Sequence, residues 1–312
     1  MPKLSRELLE RLLFSRDFDD EQVVLGPEYG EDAAVIDLDE GYLVMHMDPI
    51  SGAVKEVGKL AVIVASNDIA VSGAEPRWCM ASIQVPEDIG ESDVEIILDN
   101  FLDTASDIDI SVIGGHTETV EGIDRPLITT CMFGLTDEPV YTSGSEPGDL
   151  IVQIGPAALE GTWILANDHG KKLRKEGVDE GTIEGARGWI DDISVVEKAL
   201  AVRDKVTSMH DPTEGGIIQG LYEMASASCN DFVIDGEIEF RDETLEICEK
   251  LDIDPLRLIS SGCVVATVPG GTDISVGDIV GRVEEGEGYL HYHGETIEET
   301  TEDELFRMID HL

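Results

Sequence analysis

The tightest constraint on this chain is a carboxylate set inside an apolar helix. Val57 to Ser72 reads as one helical run, with Gly73 stopping it and Pro76 following, a normal C-terminal signature. Asp68 falls in its middle, among Val64, Ala65, Ile69, Ala70 and Val71. Burying a carboxylate without a partner costs several kcal/mol, so Asp68 calls for a cation. The bland alternative is an ion pair with an Arg such as Arg77, a purely structural role.

The segments around that helix set the fold class. Leu4, Leu8, Leu9, Leu12 and Leu13 recur at helical spacing, with Ser5 near the start. Ala33–Ile36 and Tyr42–Met45 read as strands joined by the turn at Asp39-Glu40-Gly41. A strand is expected from Trp78 to Val85. Ser92-Asp93-Val94-Glu95 reads as a capping box opening a helix to about Ala105, with Ile96, Ile97 and Phe101 on its apolar side. Short and long strands follow at Ile110–Ile113 and Leu127–Leu135. This order is that of an α/β (or α+β two-layer) sandwich, not of a repeat protein. The turn-rich stretch 142–148 is the best boundary signal, giving an N-terminal domain 1–146 and a C-terminal domain 147–312. In the second domain, a strand at 149–155, helices at about 191–203 and 215–227, and a strand at 263–268 are expected.

Charge removes whole classes of function. Sixty-seven acidic residues against 21 basic ones give −46 and a pI near 4.1, which argues against nucleic-acid binding and against an anionic membrane surface. With 42% hydrophobic residues and a mean hydropathy of −0.05, the chain is nevertheless globular. Of the basic residues nine are Lys and twelve Arg, and the surface reads as adapted to high salt. A halophilic, cytoplasmic protein is expected. Most carboxylates are therefore solvated surface, including Glu284-Glu285-Gly286-Glu287 and Glu298-Glu299. The five Cys form no C-x-x-C pair and read as small buried hydrophobes. No apolar run approaches the length of a membrane span, and no signal core is evident.

Against that background four aspartates stand where surface charge is least natural. Asp32 joins a glycine turn to an apolar strand, and Asp48 ends the strand Tyr42–Met47 beside Pro49. Asp68 lies inside the apolar helix, and Asp211 sits in the turn Met209-His210-Asp211-Pro212-Thr213-Glu214-Gly215-Gly216. Taken singly, Asp32 could satisfy turn amides, Asp48 could cap a strand end and Asp211 could be a helix N-cap. Together they suit a hard cation held with phosphate oxygens. Gly114-Gly115-His116-Thr117-Glu118 directly follows the strand ending at Ile113, where two glycines let backbone amides approach a phosphate. A plain turn is the competing reading, and no P-loop, dinucleotide fingerprint or nucleophile elbow occurs. The seven His form no ligand cluster; His46, His116 and His210 adjoin these motifs, the last two being candidate catalytic residues.

In order, the motifs Gly30-Glu31-Asp32-Ala33-Ala34-Val35, Met47-Asp48-Pro49, Asn67-Asp68-Ile69-Ala70-Val71-Ser72-Gly73-Ala74-Glu75-Pro76, Gly114-Gly115-His116-Thr117, Pro147-Gly148-Asp149 and His210-Asp211-Pro212-Thr213-Glu214-Gly215-Gly216 are collinear with a known pattern from about 26 to about 268. They resemble the aminoimidazole ribonucleotide (AIR) synthetase-like, or PurM-like, superfamily, which includes selenophosphate synthetase and thiamine-monophosphate kinase. The Asp-Pro-Thr-x-Gly-Gly turn is most similar to the hydrogenase-maturation branch.

The resemblance implies a PurM-like two-domain fold. Its N-terminal domains would dimerise into a shared β-barrel, beside a C-terminal α/β sandwich. It implies ATP and Mg²⁺ in the cleft beside that barrel. Asp32, Asp48, Asp68 and Asp211 match metal-binding positions. Asp48, Asn67, Asp68, Gly114, Gly115, His116 and Thr117 match nucleotide contacts, the glycine loop being supplied by the neighbouring subunit in selenophosphate synthetase. The implied chemistry is phosphoryl transfer onto an amide or other acceptor, small or protein-borne. A kinase of the thiamine-monophosphate type, or a non-catalytic nucleotide-binding regulator, is the alternative. Two departures accompany it. No Cys follows Cys263, whereas the hydrogenase-maturation branch carries its reacting group on a C-terminal Cys; the kinase-type Gly-Gly-Asp-Thr is Gly114-Gly115-His116-Thr117 here, with Glu118 as the nearest carboxylate.

Overall fold

The computed structural model describes residues 6–9, 11, 13, 20–51, 53–272, 276–299 and 302–309. Leu4, Ser5 and Leu12 of the expected N-terminal helix lie outside them; Arg6–Leu9 is helical (α1).

A first, six-stranded mixed sheet contains β1 (Val23–Leu25), β2 (Ala34–Asp37), β3 (Tyr42–Ile50), β4 (Glu75–Pro86), β5 (Ser111–Val120) and β6 (Leu127–Thr136), in the order β1-β2-β3-β6-β4-β5. Only β4 and β5 pair in parallel. Helix α2 (Val57–Val71) packs on β3 and β6, and α3 (Glu91–Asp107) links the parallel pair. All residues of α2 except Lys59 are buried, as a helix apolar around its circumference must be.

The second, seven-stranded sheet runs β13-β12-β9-β11-β7-β10-β8. Its strands are β7 (Leu150–Ile154), β8 (Ser208–His210), β9 (Asp231–Ile234), β10 (Val264–Val268), β11 (Asp278–Glu284), β12 (Leu290–Tyr292) and β13 (Glu295–Ile297). Around it lie α4 (Leu159–Asp168), α5 (Gly170–Glu176), α6 (Glu180–Arg187), α7 (Val196–Val202), α8 (Gly216–Ser228), α9 (Asp242–Leu251) and α10 (Glu304–Ile309). Ile217, Leu221 and Met224 of α8 cover one group of strand residues, Phe232, Ile234, Val265 and Val280. Ala199 and Val202 of α7 join Ala70 and Val71 of α2 against Val152, Val264 and Ala266. Helix α2 thus reaches into the core of the second sheet.

Four expectations need correction. The Ser92–Glu95 capping box is not used: α3 begins at Glu91 with Gly90 at the N-cap, so Ser92 already lies inside the helix. Ile96 is 56% exposed, because the helical period places Ile97, Phe101 and Ala105 on the buried face instead. Gly114-Gly115 is no turn: β5 runs through it to Val120, with a bulge at Ile113 and both glycines paired in register with Met80 and Ala81. Cys229 is exposed, whereas Cys79, Cys248 and Cys263 are buried; all five are free.

Candidate active site

Residues from both sheets converge on one open cleft of about 280 Å³. Asp32 arrives in the loop before β2, just after Gly30, whose φ is +83°. A Cβ there would lie 3.1 Å from the Glu223 carbonyl, so glycine lets this loop rest against α8. Asp48 comes from the far half of β3, where β2 pairing has ended at Ala34–Met45 and only β6 remains alongside. That open side is also why Pro49, lacking an N–H, is tolerated inside the strand. Asp68 is brought by α2 and Asp211 by the turn after β8. All four line the cleft, with His46, His210 and Glu223.

The polar contacts are specific. Asp32 accepts from the Thr142 hydroxyl at 3.2 Å and lies 2.7 Å from His210 Nδ1, so it does not serve turn amides. On the other ring nitrogen, His210 Nε2 stands 3.2 Å from Glu223 Oε2, and Gln219 donates to Glu223 Oε1 at 3.1 Å. Burial alone would lower the His210 pKa, but Asp32 and Glu223 together raise it to about 10, making it an imidazolium. Asp68 lies 3.4 Å from His46 Nε2, while Arg77 stacks over the Trp78 ring instead of reaching Asp68. His46 Nδ1 in turn meets the Asp32 carbonyl oxygen. Glu31 accepts from the Thr142 and Ser143 amides, tying this loop to the segment before β7.

Asp211 differs from the others. It is buried, and neither carboxylate oxygen has a hydrogen-bond partner. Helix α8 takes Gly215 as its N-cap, so Asp211 is no cap. Burial and the nearby Asp68 hold its carboxyl well above the usual carboxylate range. Glu160, in the first turn of α4, has the same character: buried, pushed well up by burial, and with Oε2 unpartnered. It borders a neighbouring pocket with Asp48 and Glu214.

Not every expected site residue joins the cleft. Asn67 is fully buried; its amide donates to the Ile193 carbonyl at 3.0 Å and accepts from the Val195 amide at 2.9 Å, stitching α2 to the second half. Gly114, Gly115, His116 and Thr117 lie on the exposed strand β5, three strands from β3 and so about 14 Å away. There His116 Nε2 faces Glu118 at 3.5 Å. Glu31, Glu160 and Glu223 were missed by sequence reasoning.

Among the described residues no group of three or more His, Cys, Asp or Glu is gathered closely enough to hold a metal ion alone. Mg²⁺ does not need one: it is usually held by one or two carboxylates, with phosphates and waters completing its shell. The orphaned oxygens of Asp211, close enough to Asp68 to raise its pKa, fit that demand.

The model of the AIR synthase related protein N-terminal domain matches residues 30–136, and that of the C-terminal domain matches 146–290. A hydrogenase expression/formation protein of Methanocaldococcus jannaschii is 30% identical over 253 residues, covering 78% of this chain and 73% of that protein. The chain belongs to the AIR synthase related family. Within this PurM-like family its sequence falls with the hydrogenase expression/formation branch; carbamoyl dehydratase HypE of Rhizobium leguminosarum bv. viciae is 29% identical over 273 residues, 84% of this chain and 75% of that one. Two solved family structures share its two-domain α/β fold. One is hydrogenase maturation protein HypE in complex with ATP (TM-score 0.71, 21% identity, 97% of each chain). The other is ThiL complexed with AMPPCP and TMP (TM-score 0.77, 19% identity, 95% of this chain and 97% of that one). No helix among the described residues is long and apolar enough to cross a membrane.

Proposed function

We propose that this chain is an ATP- and Mg²⁺-dependent enzyme of the hydrogenase-maturation type. Its substrate ATP would lie in the cleft, for phosphoryl transfer onto an amide or carbonyl-type acceptor, small or protein-borne. The observation that carries this reading is the meeting of Asp32, Asp48, Asp68 and Asp211, remote in sequence, around one cleft. Asp68 and Asp211 would hold Mg²⁺, with Asp32 and Asp48 beside them. Bound Mg²⁺ supplies neutralisation of the triphosphate charge.

The remaining work falls to residues of the chain itself. Glu223 and Asp32 grip the two nitrogens of His210 and keep it protonated, a fixed positive charge beside the aspartates. His46 bridges Asp32 and Asp68 and sets their relative position. Such fixed geometry is what phosphoryl transfer requires, since positioning and charge stabilisation supply most of the rate.

The domain division at 146/147 and a homodimer belong to the same proposal. Strand β5 is an unpaired edge, exposed along nearly its whole length, and an edge of that kind invites pairing with another chain. Gly114 to Thr117, too far from their own cleft, would then serve the partner's. Mg²⁺-dependent ATP hydrolysis in molar salt tests the reading: activity is expected in the parent and a drop of at least about tenfold in Asp211→Asn, by loss of a charge-assisted contact. Turnover that ignores both Mg²⁺ and this substitution would overturn it.

A further inference from the structure

Strand β3 sends two alternate residues, His46 and Asp48, to the cleft, as the period of a strand requires. The His46 ring is held from one side. Its Nδ1 meets the carbonyl oxygen of Asp32, which can only accept, so Nδ1 carries the hydrogen. In the neutral ring the lone pair is then on Nε2, the atom that faces Asp68. The 3.4 Å between Nε2 and Asp68 Oδ2 is long for a charge-assisted hydrogen bond, which closes to about 2.7–2.9 Å. It is near the spacing of about 3 Å that adjacent ligands take around an octahedral ion with bonds of about 2.1 Å. The His46 side chain keeps 22% exposure, so an ion in the cleft can reach it. Asp211 lines the same cleft, 1% exposed, with both carboxylate oxygens lacking hydrogen-bond partners. His210 is not available as a ligand, since Asp32 and Glu223 hold its two ring nitrogens.

We propose that His46 Nε2 is a metal ligand beside Asp68 and Asp211, and that the site for this reason prefers Mn²⁺ to Mg²⁺. The assignment deepens the nucleotide reading above and rests on it. Carboxylates and phosphate oxygens accept either ion, so the aspartates alone do not choose between them. An imidazole does. Mg²⁺ is a hard ion that takes oxygen ligands and keeps several waters, whereas a first-row transition ion gains from a nitrogen. Mn²⁺ suits the whole set, taking carboxylate and phosphate oxygens together with one imidazole. Behind the ring, the Asp32 carbonyl fixes the tautomer and aims Nε2, as partners of the far nitrogen do in metal-bound histidines. The three side chains are not gathered closely enough to hold the ion alone, so phosphate oxygens complete its shell.

Electron spin echo spectroscopy of the full chain in molar salt, loaded with Mn²⁺ and AMPPCP, tests the ligand directly. Nitrogen-15 labelling of histidine separates a histidine nitrogen from those of the adenine ring. A histidine coupling to Mn²⁺ is expected in the parent and none in His46→Gln. Calorimetric titration with Mn²⁺-AMPPCP and Mg²⁺-AMPPCP reads the selectivity: the ratio of the two affinities should fall at least about tenfold from the parent to the variant. Circular dichroism follows the variant's folding, and the coupling in the parent decides even if the variant fails to fold. Absence of that coupling, or an unchanged ratio in a folded variant, would overturn His46 as a ligand while leaving the nucleotide reading intact. A parent that binds neither complex would overturn the nucleotide site and the metal assignment with it.

Discussion

At Asp211 two buried oxygens lack partners, and the neighbouring Asp68 adds a like charge. The nucleotide-free protein therefore carries a destabilising group at the point where a cation would help most. Asp211→Asn is expected to raise the melting temperature of the ligand-free protein by roughly 2–6 °C while weakening Mg²⁺-ATP. Differential scanning calorimetry with and without Mg²⁺-ATP reads both effects; a variant less stable than the parent in both states would contradict it. Asp303 gives a pH dependence of known sign. Burial pushes its carboxyl up to about 7, against amide hydrogen bonds from Gly215 and Leu305 that pull it down. Between the ordinary value near 4 and about 7 the folded state holds a proton that the unfolded state has lost. Stability from this group is therefore complete below that window and falls as pH rises through it. Asp303→Asn should flatten the slope of urea midpoint against pH over this range. The four aspartates were legible because each breaks its local pattern, as Asp68 does among Val64, Ile69 and Val71. Glu160 was not, since an acidic residue in the first turn is what any helix start shows. Glu223 was hidden similarly, on a helix in a chain with 67 acidic residues.

Among the elements, α2 organises the most. It touches the first sheet and α3, and its Asn67 and Ala70 reach the second half. Its contact with α3 is close at Gly58, where a Cβ would sit 2.3 Å from the Ile97 carbonyl oxygen. Gly58→Ala is expected to cost about 1–3 kcal/mol by forcing the helices apart, in spite of the better helix propensity of Ala. Chemical denaturation checks this, and a stabilised variant would refute the tight crossing. Both α2 and β6 were readable in the sequence, α2 from a long apolar run stopped at Gly73 and β6 from its own strand-forming residues, because their burial is decided by their own side chains. Strand β5 was not. Its two glycines signal a turn to any local reading, and only pairing with β4 across the α3 connection keeps them extended.

At the scale of the whole molecule, a surface of −46 and an open edge strand make opposite demands. Like charge separates copies of the chain at low ionic strength, whereas at 1 M salt the screening length falls to about 3 Å and edge pairing becomes possible. A homodimer is therefore expected in about 2 M salt and dissociation in about 0.1 M. Light scattering across that range measures it, and a monomer in high salt that still binds nucleotide would contradict a shared site. The central claim, that aspartates scattered along the sequence form one Mg²⁺-ATP site, is tested most directly by calorimetric titration in molar salt. The parent, Asp68→Asn and Asp39→Asn are compared, with folding followed by circular dichroism. Asp39 is an exposed turn residue whose amide bonds to Asp37, and its loss should leave the affinity unchanged. Asp68→Asn should weaken binding at least about tenfold, as the removal of a charge-assisted contact requires. A folded Asp68→Asn protein that binds Mg²⁺-ATP as tightly as the parent would contradict the site.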